Sequence, residues 1–98
     1  MVSAHSWPFD QPRNCAVFTT RKVLEGAEPI LHVTHDFDDH GWQFLGGDAR
    51  GEDAKIIALH EAVELDPSVL QLADLPSGWH AWRDSIDSPW RREALDDA

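Results

Sequence analysis

Histidine and aspartate side chains crowd into one short stretch of this chain, where they could bind a metal ion. The stretch spans residues 32–40 and contains His32, His35, His40, Asp36, Asp38 and Asp39. Zinc accepts imidazole and carboxylate ligands. Side chains three residues apart on a strand point to opposite faces, so a strand here would separate His32 from His35. The set that can converge through a turn is therefore His35, Asp38 and His40.

The metal interpretation has a simpler competitor. No Cys-x-x-Cys or His-Glu-x-x-His pattern accompanies these residues, although such patterns commonly supply metal ligands at fixed spacing. A solvated polar hairpin is therefore the favoured interpretation. The alternative is a metal-dependent enzyme or metal-binding protein that uses the turn of His35, Asp38 and His40.

Other side chains with reactive potential also have ordinary structural explanations. Cys15 sits in a predicted apolar strand, where a thiol behaves as a small hydrophobic group. Glu61 and Glu64 are three residues apart, and general acid–base chemistry would need one of them in an apolar pocket. The Gly46-Gly47-Asp48 loop lacks the Gly-Lys-Ser/Thr ending of a phosphate-binding loop. The residues favour a non-enzymatic role without a cofactor.

Aromatic and acidic residues instead suggest a binding surface. The C-terminal part of the chain contains a run of residue types that are enriched at protein interfaces, namely Trp79, His80, Trp82, Arg83, Trp90, Arg91 and Arg92. Trp79 and Trp82 fall on opposite faces of a strand, so one of them can face solvent. The alternative is that both tryptophans pack in the core with an arginine stacked on an indole. The predicted partner-binding residues are Asp36, Asp38, Asp39, Trp42, Asp48 and Trp82.

The charge balance restricts the class of partner. The 98 residues carry a formal net charge of −10. Between residues 36 and 66, nine acidic residues face only Arg50 and Lys55. Nucleic-acid binding requires basic side chains that neutralise phosphates, so this composition argues against it. An acidic field would steer a basic partner, or it would simply form a solvated face that keeps the protein soluble.

The N-terminus lacks the pattern of a signal peptide, and no apolar run reaches the ~18–20 residues of a membrane span. A single cysteine gives no disulfide framework. We therefore expect a cytoplasmic protein with no membrane association.

Periodicity and turn residues predict the elements that would position these side chains. Strands are expected at 14–20, 30–36, 41–46, 54–59 and 79–85. Residues 54–59 could instead form the front of a helix, because periodicity does not separate the two over six residues. Helical turns are expected at 21–25 and 60–65, and a helix at 67–73 with Asp66 as its N-cap and Pro67 in first position. Residues 1–13 form an irregular arm whose Trp7 and Phe9 can dock onto the body, and residues 94–98 form a frayed tail. The predicted fold is a single α+β domain, residues 14–93, with a small, mostly antiparallel sheet of four to five strands and one or two short helices on one face.

The order of these segments resembles the bacterial family called domain of unknown function 2185, which overlaps a set proposed as immunity protein 33. The matching segments are Cys15-Ala16-Val17, Arg21 to Gly26, Gly41-Trp42-Gln43-Phe44, Gly47-Asp48, Leu65-Asp66-Pro67-Ser68 and, less sharply, Arg83-Asp84. The chain departs from the family pattern at Ala49-Arg50-Gly51, where a longer acidic run is expected.

The resemblance implies no enzymatic activity. It implies a binding module of the immunity type, which would neutralise a toxin-like, basic partner protein in the producing cell. A monomer and a homodimer through a sheet edge both remain open, and a homodimer could have a structural or accessory role instead.

Overall fold

Strand-forming residues build one six-stranded sheet in the computed structural model, which describes residues 7–36, 41–46 and 54–95. The strands are β1 (Ala16–Thr20), β2 (His32–His35), β3 (Trp42–Leu45), β4 (Ala54–Ala58), β5 (Trp79–Trp82) and β6 (Arg91–Ala94). The helical segments are α1 (Arg21–Leu24), α2 (Leu59–Leu65) and a 3₁₀ helix (Pro67–Leu72). The predicted α+β class is confirmed.

The order of the strands corrects the predicted sheet. Neighbours follow the order β4-β1-β3-β2-β5-β6, so the described sheet has six strands rather than four to five. Four of the pairings are antiparallel, whereas β1 and β3 are parallel, which makes the sheet mixed. The parallel pair arises because the β2–β3 hairpin folds β3 back between β2 and β1. Hairpin signals identify adjacent antiparallel strands only, so they do not reveal this pairing.

Strand β6 is the element that sequence reasoning missed. Its segment was expected to be a short basic stretch that leads into a frayed tail, but it pairs with β5 and all four of its residues are exposed. Arg92 secures it by a 2.7 Å hydrogen bond to the Gln71 carbonyl and a 2.9 Å ion pair with Asp74. An exposed, charged edge strand has no hydrophobic alternation, so its composition resembles that of a loop.

One face of the sheet carries the hydrophobic core. Val17, Val33, Phe44 and Ala81 are at most 1% exposed and come from four different strands. The helical segments cover this face with Val23, Leu59, Ala62, Val69 and Leu72. Burial of such aliphatic and aromatic side chains contributes about 1.5–3 kcal/mol each, so this layer supplies most of the stabilisation.

The N-terminal segment extends the core. Phe9 is buried and contacts Trp42 edge-on with ring centroids 5.2 Å apart. Gln11 accepts hydrogen bonds from both Trp42 Nε1, at 3.0 Å, and Trp7 Nε1, at 2.6 Å. The segment around Trp7 and Phe9 therefore docks onto the sheet, as its aromatic residues suggested.

The predicted helix starts are confirmed at both positions. Thr20 Oγ1 accepts a hydrogen bond from the Val23 amide, and α1 is followed by Gly26 at φ +79°. Asp66 Oδ1 accepts from the Ser68 amide at 3.0 Å, directly before Pro67. The helix predicted at 67–73 is a 3₁₀ helix, Pro67–Leu72.

Arg83 follows β5 and joins segments that are far apart in the chain. Its guanidinium donates to the Ile30 carbonyl from Nε at 3.1 Å and from Nη2 at 2.9 Å. Nη2 also pairs with Asp66, while Nη1 donates to Ser68 Oγ at 3.0 Å and to the Ile86 carbonyl at 3.5 Å. A guanidinium has five N–H groups, so all of them are engaged in this network.

The surroundings of Arg83 explain why the charge is tolerated inside the protein. The side chain of Arg83 is only 3% exposed and that of Asp66 is 19% exposed. Trp90 stacks on the guanidinium at 4.3 Å and donates to Ser68 Oγ at 3.2 Å. A buried charge of this kind is costly unless it is fully paired, and removal of one partner leaves the other buried without compensation.

Substitution Arg83→Met should therefore lower the free energy of unfolding by about 3–5 kcal/mol, because Asp66 and the Ile30 carbonyl lose their partner. Urea unfolding followed by tryptophan fluorescence measures the change. Arg91→Met is the matched control, since Arg91 lies exposed on the edge strand, and it should change stability by less than about 0.5 kcal/mol. Equal midpoints for the two variants would show that the network is dispensable.

Candidate functional site

The sheet face opposite the core is the first candidate surface. Strand register aligns its side chains in two rows, because cross-strand partners share a face. The first row crosses all six strands and consists of Ile56, Phe18, Gln43, Thr34, His80 and Glu93. The second row crosses four strands and consists of Leu45, His32, Trp82 and Arg91. We call these ten residues the open face.

The open face is apolar at its β4 end. Ile56 is 67% exposed and Phe18 is 44% exposed, and the two are direct cross-strand partners. Their small neighbours Ala16 and Ala54 are exposed as well. Adjacent large apolar side chains that remain in water form a patch, and such patches commonly mark interaction surfaces.

Aromatic and imidazole rings occupy the middle of the open face. His32 Nε2 and His80 Nδ1 lie 3.0 Å apart and share one hydrogen bond between β2 and β5. The indole of Trp82 stacks on His80 with ring centroids 5.0 Å apart. On its other side His80 approaches Glu93, with 4.0 Å between Nε2 and Oε1. In this hydrogen bond one ring nitrogen donates its N–H and the other accepts it, so the accepting nitrogen carries no proton.

Burial, and secondarily the charge of His80, lowers the pKa of His32 below 6.5. The two rings cannot both be protonated without loss of the shared hydrogen bond and repulsion between like charges. The lowered pKa therefore favours the neutral form of His32, in which the hydrogen bond to His80 is kept.

Among the six predicted partner-binding residues, two lie on the side of the open face. Trp82 is in its second row, and Asp36 accepts a 3.2 Å hydrogen bond from Gln43 in the first row. Trp42 points the other way and is 1% exposed in the core. It can therefore not contact a partner without a rearrangement of the core. Asp38, Asp39 and Asp48 lie outside the described residues.

The predicted metal turn is described only at His35. This side chain is buried, stacks on Trp42 at 4.0 Å, and donates from Nδ1 to the Leu75 carbonyl at 2.7 Å. His32 lies on the opposite face, as the strand spacing predicted. Asp38 and His40 lie outside the described residues. Within residues 7–36, 41–46 and 54–95, no three His, Cys, Asp or Glu side chains are grouped so that they could hold a metal ion.

A groove beside the start of β2 and the end of β5 is the second candidate surface. Its volume is about 750 Å³, and segments that are far apart in sequence line it, including residues 26–31, 65–68 and 83–86. Arg83 lies among its lining residues, but every donor of the guanidinium is already used. The groove is therefore not an anion site that Arg83 could serve. We call it the Arg83 groove.

Neither of these two surfaces was predictable from the sequence alone. Phe18 lies in a strand that its apolar composition predicted to be buried, and Ile56 lies in a short apolar segment in which periodicity does not show which side chains face solvent. The His32–His80 contact joins residues 48 positions apart, which single-sequence patterns do not link. An N-cap aspartate and a distant arginine were each visible, but nothing in the sequence paired Asp66 with Arg83. Within the described residues, no helix is long and apolar enough to cross a membrane.

The lowered pKa of His32 should make stability depend on pH. The unfolded chain binds a proton at this residue near pH 6.5, whereas the folded chain binds it only at lower pH. The contribution of His32 is therefore fully present above pH 6.5 and is lost as pH falls towards the folded-state pKa. Urea unfolding of wild type and His32→Gln should give a stability difference that shrinks with falling pH. A stability difference that stays constant from about pH 7.5 to about pH 5, a range that brackets the ordinary pKa of histidine, would contradict this expectation.

Comparison with known proteins gives no assignment. No family model matches the sequence, no curated protein matches it, and no solved structure matches the fold. The function must therefore be inferred from the chemistry of the open face and the Arg83 groove.

Proposed function

We propose that the protein is a non-enzymatic binding module of the immunity type, whose open face docks onto a basic partner protein and neutralises it. The observation that carries the proposal is the exposed apolar pair of Phe18 and Ile56 on a sheet face that also presents Trp82. Aromatic residues such as Phe and Trp are enriched at protein interfaces, and burial of exposed apolar surface favours association. The resemblance of the ordered sequence segments to an immunity-type family supports the same role.

Charge supports a basic partner. The chain carries a net charge of −10, while the open face itself is nearly uncharged apart from Glu93 and Arg91. A nearly neutral contact patch on an acidic protein allows apolar contact while the surrounding field attracts a cationic surface. The acidic stretch of residues 36–53 would contribute to that steering, although most of it lies outside the described residues.

The rigidity of the open face also favours docking. The face is built on hydrogen-bonded strands, and Arg92 and Arg83 hold the β5–β6 end to the helical layer. A pre-ordered surface loses little conformational entropy on association. The protein would therefore bind with its existing surface.

Substitution Ile56→Lys should abolish or strongly weaken partner binding, because it places a positive charge in the apolar patch. The purified protein serves as bait in a lysate of its source cells, and the captured basic protein is identified by mass spectrometry and then purified. Surface plasmon resonance with that protein should show a dissociation constant at least about tenfold higher for Ile56→Lys.

Leu70→Lys is the matched control, because it makes the same charge change at a 37% exposed leucine on the 3₁₀ helix. It should bind like wild type. Equal affinity of wild type and both variants would show that the open face does not contact the partner. An equal loss of affinity in both variants would show that the change in net charge, rather than its position, weakens binding.

Electrostatic steering gives a separate test with the same purified pair. The association rate constant should fall by about tenfold between about 0.05 M and 0.5 M NaCl, since salt screens the acidic field. An association rate that does not respond to salt would contradict the steering role of the acidic residues.

A further inference from the structure

The Arg83 groove combines aliphatic walls with acidic side chains. Its walls include the aliphatic side chains of Val23, Leu65 and Ile86, of which Leu65 is 39% and Ile86 is 62% exposed. Glu28 and Asp84 line the same groove and carry carboxylates, and the Glu28 carboxylate lies against Gly46, which is outside the groove lining. The groove therefore offers apolar walls together with negative charge.

The charges at the floor of the groove cancel. Arg83 and Asp66 form a buried ion pair, and the second Asp66 oxygen accepts the Ser68 amide at 3.0 Å. Neither group is available to a ligand. Glu28 and Asp84 have no such internal cation among the ion pairs of the described residues, so they leave the groove with uncompensated negative charge.

We propose that the Arg83 groove receives an arginine side chain from a basic segment of a partner protein. An arginine side chain has an apolar three-carbon stem and a cationic head. The stem would lie against Leu65 and Ile86, and the guanidinium would pair with the carboxylates of Glu28 and Asp84. Guanidinium is weakly hydrated and binds carboxylates with two parallel hydrogen bonds, which suits it better than ammonium to a partly apolar site.

The groove adjoins the open face. Leu31 and Arg83, which line the groove, directly precede and follow the open-face residues His32 and Trp82, and the Arg83 amide donates to the Leu31 carbonyl at 3.1 Å. A partner that covers Trp82 could therefore insert an arginine into the groove. The groove proposal does not depend on that partner, because the chemistry of the pocket can be tested without it.

The test uses n-pentylguanidinium as the probe of the groove. Titration into protein labelled at the methyl groups of Ile, Leu and Val should shift the signals of Ile86, Leu65 and Val23. The dissociation constant should lie in the millimolar range, about as expected for a ligand of this size. The anionic analogue n-pentylsulfonate and the neutral analogue n-pentanol should bind at least about tenfold more weakly, because the carboxylates repel the first and gain nothing from the second.

The double variant Glu28→Gln/Asp84→Asn keeps the shape of both side chains and should weaken the cation at least about fivefold. Glu64→Gln is the matched control, because Glu64 is exposed on α2 and does not line the groove. It should leave the affinity unchanged.

Three results would overturn the proposal. The first is the absence of shifts at Ile86 and Leu65. The second is equal binding of the sulfonate or the alcohol, which would make the groove a general apolar site. The third is an equal effect of Glu64→Gln and the double variant, which would reduce the binding to net charge. None of these results bears on the open face, which is tested with Ile56→Lys.

Discussion

The Arg83 guanidinium ties together the start of β2, the N-cap of the 3₁₀ helix and the turn after β5 through five hydrogen bonds. Each of these segments has polar backbone or carboxylate groups that the core could not otherwise satisfy. The network fixes how the helical layer sits on the sheet, because Asp66 begins the 3₁₀ helix and Ile30 leads into a central strand.

Within residues 7–36, 41–46 and 54–95, the helical segments cover one face of the sheet, and the two faces differ in character. The covered face supplies stability through Val33, Phe44 and Ala81, whereas the open face keeps Phe18 and Ile56 in contact with water. An antiparallel sheet with one solvated face is usually polar there. The departure from that pattern at β1 and β4 is what distinguishes the open face from an ordinary solvated surface.

Local chemistry made much of the fold predictable. Thr20 and Asp66 mark helix starts by their side-chain oxygens. Alternation within β2 places His32 and His35 on opposite faces, and alternation within β5 does the same for Trp79 and Trp82. The features that the sequence did not predict depend on contacts between distant residues or on patterns that fit more than one structure. The parallel partner of β1 depends on where the hairpin folds, and the exposure of Phe18 depends on which face the helices cover. Trp42 illustrates the same limit, because an aromatic residue in a strand can serve the core or a partner equally well.

The parallel pairing of β1 with β3 also bears on how the chain assembles. Thr19 and Phe44 are 25 residues apart in sequence and meet through a 2.7 Å hydrogen bond. The β2–β3 hairpin, by contrast, closes over a short turn and can form early. Strand β1 pairs with the other edge of β3, and β4 pairs with β1 on its far side. Closing this longer loop costs more conformational entropy than closing the hairpin turn, so we expect the parallel pairing of β1 with β3 to form after the hairpin.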